Sequence, residues 1–270
     1  LGYLIVHSDW QRAFWSIGVG SAAIMIGLIY FYKNTPSDAG TTQYGALQTE
    51  VIYDDLLVDK VRVKAFVKYM KGTAAYYNMS SIHFLGCVGH AIILVYVVPL
   101  AVQQGLSLVS AATILTVMSV ISIPSRLIVP VISEKMDVRM VMAIFFFLQG
   151  AAVIMLFWAS DGWMFYLFAV VFGIGYGGES GGFPILNRKY YGHAPQGSPY
   201  GFQMLWAGLG MALGGWIGGV IFDITGGYGM ALYISIIASF VGTISIAFLE
   251  PTDDLLIPEW DVGVLYPSHD

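Results

Sequence analysis

Three ionisable side chains, His90, Arg126 and Glu179, stand inside long apolar runs of this chain. Such groups are costly in hydrocarbon and are normally placed for function. Arg126, in the stretch Ser122-Ile-Pro-Ser-Arg126, offers a fixed positive charge and a planar fork of donors that a carboxylate can accept from with both oxygens. It also lies about one to two turns from the end of its run, where a guanidinium can snorkel to the interface and serve only as an anchor. Glu179 is deeper, among Gly177, Gly178, Gly181 and Gly182. A carboxylate there loses its hydration, so taking up a proton is its natural response, as a proton-coupling site requires. His90, between Gly89 and Ala91, can relay protons or bond a neighbouring carbonyl. His83, nearer the end of the same run, is a weaker candidate.

The elements that must position these groups follow from composition. The chain has 270 residues, 57% hydrophobic and only 11% charged, with a mean hydropathy of +0.72. A soluble domain carries about 25% charged residues, so the expectation is an all-α membrane protein. The net charge of −5 gives no reason to expect a nucleic-acid partner, and the single cysteine, Cys87, cannot close an intrachain disulfide. No cofactor and no metal site is expected.

A bilayer core of about 30 Å takes about 20 helical residues. Seven runs of about that length are predicted to span, at roughly 13–32, 79–102, 108–132, 140–159, 162–186, 200–222 and 229–249. Continuous apolarity favours helices over barrel strands, which alternate. All of the twelve Lys and Arg residues except Arg12 then fall on or near one face, which the positive-inside rule makes cytoplasmic, together with the C-terminus. The expected organisation is 1–32, the end of one helix and a second; 33–78, a linker with an interfacial helix around Leu56 to Met70; 79–249, a six-helix bundle; and 250–270, an acidic, irregular tail. In the linker, Lys60, Lys64, Lys68 and Lys71 make a basic stripe that suits either anionic headgroups or simple solvation.

Glycines recur at four-residue spacing in two spans: Gly173, Gly177 and Gly181, then Gly210, Gly214 and Gly218. Small faces let backbones approach in lipid, as static packing or as surfaces that slide and bend. Two motif matches carry less. Gly173-Ile-Gly-Tyr-Gly-Gly178 fits a dinucleotide fingerprint but lies within a span. Gly178-Glu-Ser180-Gly-Gly182 fits a nucleophile elbow, and an intramembrane serine protease would need a histidine that the two following spans lack.

The stretch from Pro124 through Arg126 to Glu134, Asp137 and Arg139 resembles the loop between the eighth and ninth helices of major facilitator superfamily transporters. Asp9-Trp10-Gln-Arg12-Ala-Phe-Trp15 is similar to the start of their sixth helix. Phe222-Asp223-Ile-Thr-Gly-Gly-Tyr228 is similar to the connection between the eleventh and twelfth helices of the monocarboxylate transporter-like branch, and Gly89-His90-Ala-Ile-Ile-Leu-Val-Tyr96-Val-Val-Pro99 to its seventh helix. The resemblance implies helices 6–12 of that fold, with the N-terminal helices missing, and alternating access around a midplane site. In the monocarboxylate and oxalate:formate branches the arginine matched by Arg126 binds the substrate carboxylate, so the resemblance implies that role for Arg126; His90 and Tyr96 are further candidate substrate contacts, and any proton role passes to Glu179, His90 or a residue of the missing half. Ser122 stands where the monocarboxylate pattern has an aspartate, and no lysine lies near Ala207-Gly208, where the oxalate exchangers carry one. The expected partners are the bilayer of a plasma (inner) membrane, a small organic anion and the missing helices. A seven-helix receptor is the alternative, although no lysine inside a span is available to hold retinal.

Overall fold

The computed structural model describes residues 9–33, 39–41 and 60–259. Their regular structure is all helical, with no strand among the described residues. Hydrocarbon dictates this, since a helix satisfies its own backbone hydrogen bonds where no water is present to do so. The chain divides into two compact units, 1–59 and 60–270. Residues 1–8, 34–38, 42–59 and 260–270 lie outside the described set, so the helix end expected at 1–6, the Pro36 to Thr42 stretch and most of the acidic tail are not addressed.

In the first unit, α1 (Trp10–Phe31) starts on Asp9, whose side chain accepts from the Arg12 amide at 2.8 Å. The second unit begins with α2 (Lys60–Lys71), followed by α3 (Ala74–Gln103), α4 (Leu108–Ser133), α5 (Val138–Ile154), α6 (Gly162–Tyr191), α7 (Gly197–Thr225) and α8 (Gly229–Ala247). Ser107 caps α4 by accepting from the Ser110 amide, and Asp137 caps α5 by accepting from the Arg139 amide. Burial pushes the Asp137 carboxyl up, but hydrogen bonds from Arg139 outweigh it and hold the group below its ordinary value. Gly226 ends α7 at φ 72°, a left-handed turn that suits a residue without a β-carbon.

Six helices are long and apolar enough to cross a membrane: Gln11–Phe31, Ala74–Gln103, Leu108–Ser133, Val138–Phe157, Gly197–Thr225 and Gly229–Ala247. The expected seventh, at 162–186, is a helix of 30 residues, about 45 Å long. It does not join the six by composition, because every stretch of it long enough to span contains Glu179. The bundle also starts earlier than residue 79, since α3 begins at Ala74.

Short connections force neighbouring helices to run antiparallel, and contacts across the bundle agree. At one end Tyr166 donates to the Ser110 carbonyl, and Tyr228 packs on both Tyr96 and Phe222. At the other end Tyr76 stacks on Phe202, Arg139 donates to the Leu249 carbonyl, and Tyr190 donates to the Glu250 carbonyl. The described part of the tail is therefore strapped down, with Leu249 and Ile257 buried in the core beside Tyr190 and Tyr191. Arg62, Lys64, Lys68, Lys71, Lys135, Arg139, Arg188 and Lys189 all belong to this second end, whereas Asp161 and Asp223 belong to the first.

Both glycine faces are packing seams, and each has its own partner. Gly173, Gly177 and Gly181 lie against α4: a β-carbon at Gly173 would sit 2.8 Å from the Met118 carbonyl oxygen, and one at Gly177 would overlap Ser122. Gly210, Gly214 and Gly218 lie against α3, where a β-carbon at Gly214 would come within 2.6 Å of the Val88 carbonyl oxygen. Gly208, also in α7, meets nothing within 4 Å. Thermal unfolding in detergent separates the two kinds of position. Gly177→Ala should cost about 1–3 kcal/mol by wedging rigid backbone apart. Gly208→Ala should be neutral or stabilise by about 0.5–1 kcal/mol through helix propensity.

Candidate functional site

The α4–α6 seam sets the register of the site. With Gly177 against Ser122, the neighbouring Tyr176 is brought beside Arg126, whose guanidinium carbon lies 5.2 Å from the Tyr176 ring centroid. Arg126 is exposed, and no hydrogen bond or ion pair reaches its guanidinium among the described residues. The far side of Tyr176 meets His90 of α3, with ring centroids 5.0 Å apart and planes at 69°. His90 Nδ1 in turn lies 3.5 Å from Glu179 Oε2. Arg126, Tyr176, His90 and Glu179 thus form a continuous line from an exposed helix face into the interior, across α4, α6 and α3.

Glu179 is 2% exposed and His90 is 7% exposed. Their contact falls within ion-pair range, yet neither His90 Nδ1 nor Glu179 Oε2 has a hydrogen-bond partner, so the interaction is electrostatic and loosely directed. The other carboxyl oxygen, Oε1, rests against Gly86, where a β-carbon would overlap it. Gly86 is therefore the notch that admits the carboxyl. Gly178 and Gly182 on the same helix serve the opposite side, lying against Phe145 and Met142 of α5.

The interior also holds polar groups that single-residue reasoning missed. Gln149 of α5 is fully buried, and its amide donates to Ser239 of α8 at 3.2 Å while its Oε1 has no partner. Ser235 donates to the Gly89 carbonyl at 2.7 Å, one residue from His90. A polar residue within the apolar run Phe145-Phe-Phe-Leu-Gln149 was the available signal. Nearer the basic end, Asn187 and Gln203 exchange amide hydrogen bonds at 2.8 and 3.0 Å, tying α6 to α7.

Other predicted residues lie elsewhere. The Tyr96 hydroxyl donates to the Gly215 carbonyl and its ring fills the space beside Gly218, next to Tyr228, so it does not join the Arg126 line. His83 stacks on Phe183 with centroids 3.8 Å apart. Ser122 donates to the Ser119 carbonyl, and Ser180 donates to the Gly177 carbonyl within its own helix. The described residues contain no group of histidine, cysteine or acidic side chains that could hold a metal ion.

The family model of the Major Facilitator Superfamily matches residues 1–202 and 79–260. No curated protein matches the chain.

The notch makes a reciprocal prediction. Gly86→Ala should lower the unfolding temperature by driving its new methyl into Glu179, and the double variant Gly86→Ala/Glu179→Asp should recover part of the loss, because the shorter acid withdraws from α3. Additive losses in the double variant would contradict the assignment of Gly86 as the carboxyl's seat.

Proposed function

Because the chain belongs to the major facilitator superfamily, a family of membrane transporters, we propose that it carries a small organic anion with proton coupling. Arg126 is the substrate anchor. The observation that carries this reading is a cation exposed on a helix face, without a carboxylate partner among the described residues, joined through Tyr176 and His90 to a buried acid. A carboxylate bound at Arg126 would neutralise that cation and change the field felt at His90 and Glu179. Protonation of Glu179 would in turn affect anion binding, and that reciprocity is the thermodynamic content of coupling.

In this reading α3 to α8 form one half of an alternating-access transporter, α6 crosses the membrane with the six more apolar helices, and α1 belongs to the other half. The bundle's basic end faces the cytoplasm, with the described tail packed against it. The glycine seams allow α6 and α7 to shift against α4 and α3 as the site opens to either side. Tyr96 acts in packing at the opposite end.

Uptake of radiolabelled monocarboxylates by the intact transporter tests the anchor. Arg126→Ala should weaken apparent affinity by about ten- to a hundredfold, the worth of a charged hydrogen-bond pair, while membrane expression stays normal; unchanged uptake removes Arg126 from the scheme. The coupling is tested separately by the pH profile. Transport by the unmodified protein should rise as the outside is acidified, and Glu179→Gln should flatten that dependence. A variant that keeps the full pH response excludes Glu179.

A further inference from the structure

The short helix α2 carries a concentration of positive charge that the transport reading does not use. Its sequence, Lys-Val-Arg-Val-Lys-Ala-Phe-Val-Lys-Tyr-Met-Lys, contains no acidic residue. Lys64, Lys68 and Lys71 recur at four and three residues, so they share one face, and all three are exposed. Phe66 and Met70 occupy the opposite face and are fully buried, packed in the core with Tyr76, Met79, Tyr190 and Tyr191. The orientation of α2 is fixed at its C-terminal corner as well, where Thr73 donates to the Met70 carbonyl at 2.7 Å and its hydroxyl meets the Tyr191 hydroxyl at 3.0 Å.

This face lies at the start of a membrane span, since α3 begins at Ala74, three residues after Lys71. Tyr69 and Tyr77 on either side of the corner are 43% and 54% exposed, and tyrosine is enriched at the headgroup level of bilayers. The Lys71 ammonium is 5.7 Å from the Phe202 ring centroid, so the lysine end lies against the bundle wall. None of the ion pairs among the described residues involves Lys64, Lys68 or Lys71. A row of ammonium groups without an ion-pair partner among the described residues, at the start of a candidate span on a helix held by its buried face, complements a layer of negative charge.

We infer that the Lys64, Lys68 and Lys71 face of α2 is a binding site for anionic phospholipid headgroups of the leaflet at the basic end of the bundle. The lysines act as point charges on the phosphates, with Tyr69 and Tyr77 seated at the interface beside them. The site is independent of the transported substrate.

Native mass spectrometry of the intact purified protein, with phosphatidylglycerol and phosphatidylcholine supplied together in the micelle, reads the selection directly. The unmodified protein should retain phosphatidylglycerol in preference, and added salt should erode that preference. Each Lys→Gln change at 64, 68 or 71 should reduce the ratio by a factor of about five. Lys64→Arg/Lys68→Arg/Lys71→Arg should keep it, because the charge is retained. Should the triple glutamine variant not fold, the single variants Lys64→Gln and Lys68→Gln, both at exposed positions, decide the matter. Equal retention of the two lipids by the unmodified protein, or undiminished preference in the glutamine variants, would overturn the proposal; the former would leave this face to an acidic protein segment.

Discussion

Apolar side chains gain little by leaving lipid tails for one another, so helices in hydrocarbon are held by close backbone approach and by a small number of interior polar bonds. The second unit of this chain is organised by that constraint. Its two glycine rows bring α6 onto α4 and α7 onto α3 at distances that a single added methyl would violate. The α4–α6 seam also determines chemistry. With Gly177 seated on Ser122, Tyr176 falls beside Arg126, and Glu179, one helical step further, is directed into the notch at Gly86.

A carboxyl and an imidazole in such an interior are expensive, and removing one would leave the other without its compensation. Their nearest atoms stand 3.5 Å apart without a directed hydrogen bond. Hydrogen bonds nearby, from Ser235 to the Gly89 carbonyl and from the Gln149 amide to Ser239, tie together the helices around the pair.

The spans were legible because apolar length is a strong signal, and the glycine rows because their four-residue spacing puts them on one face. Which helix each row would meet was not, since periodicity describes a surface and not its partner. Arg126, His90 and Glu179 were visible as ionisable groups in apolar runs, but their connection through Tyr176 depends on a register between three helices that no local pattern carries. Gln149 and Gln203 were missed because uncharged amides barely disturb an apolar run, and Asn187 because it lies just past the predicted end of its span. Tyr96 was assigned by position in a similar helix, whereas its hydroxyl is bonded to Gly215. Composition also set α6 apart from the other long helices, because Glu179 falls within every stretch of it long enough to span.

In the proposed orientation the bundle crosses the bilayer with its basic end inward. Cysteine substitution with a membrane-impermeant thiol reagent tests this most directly. Ser160→Cys and Thr225→Cys should react in intact cells, whereas Lys135→Cys and Lys189→Cys should react only after the cells are opened; labelling of all four from one side, or the reverse pattern, would contradict the account.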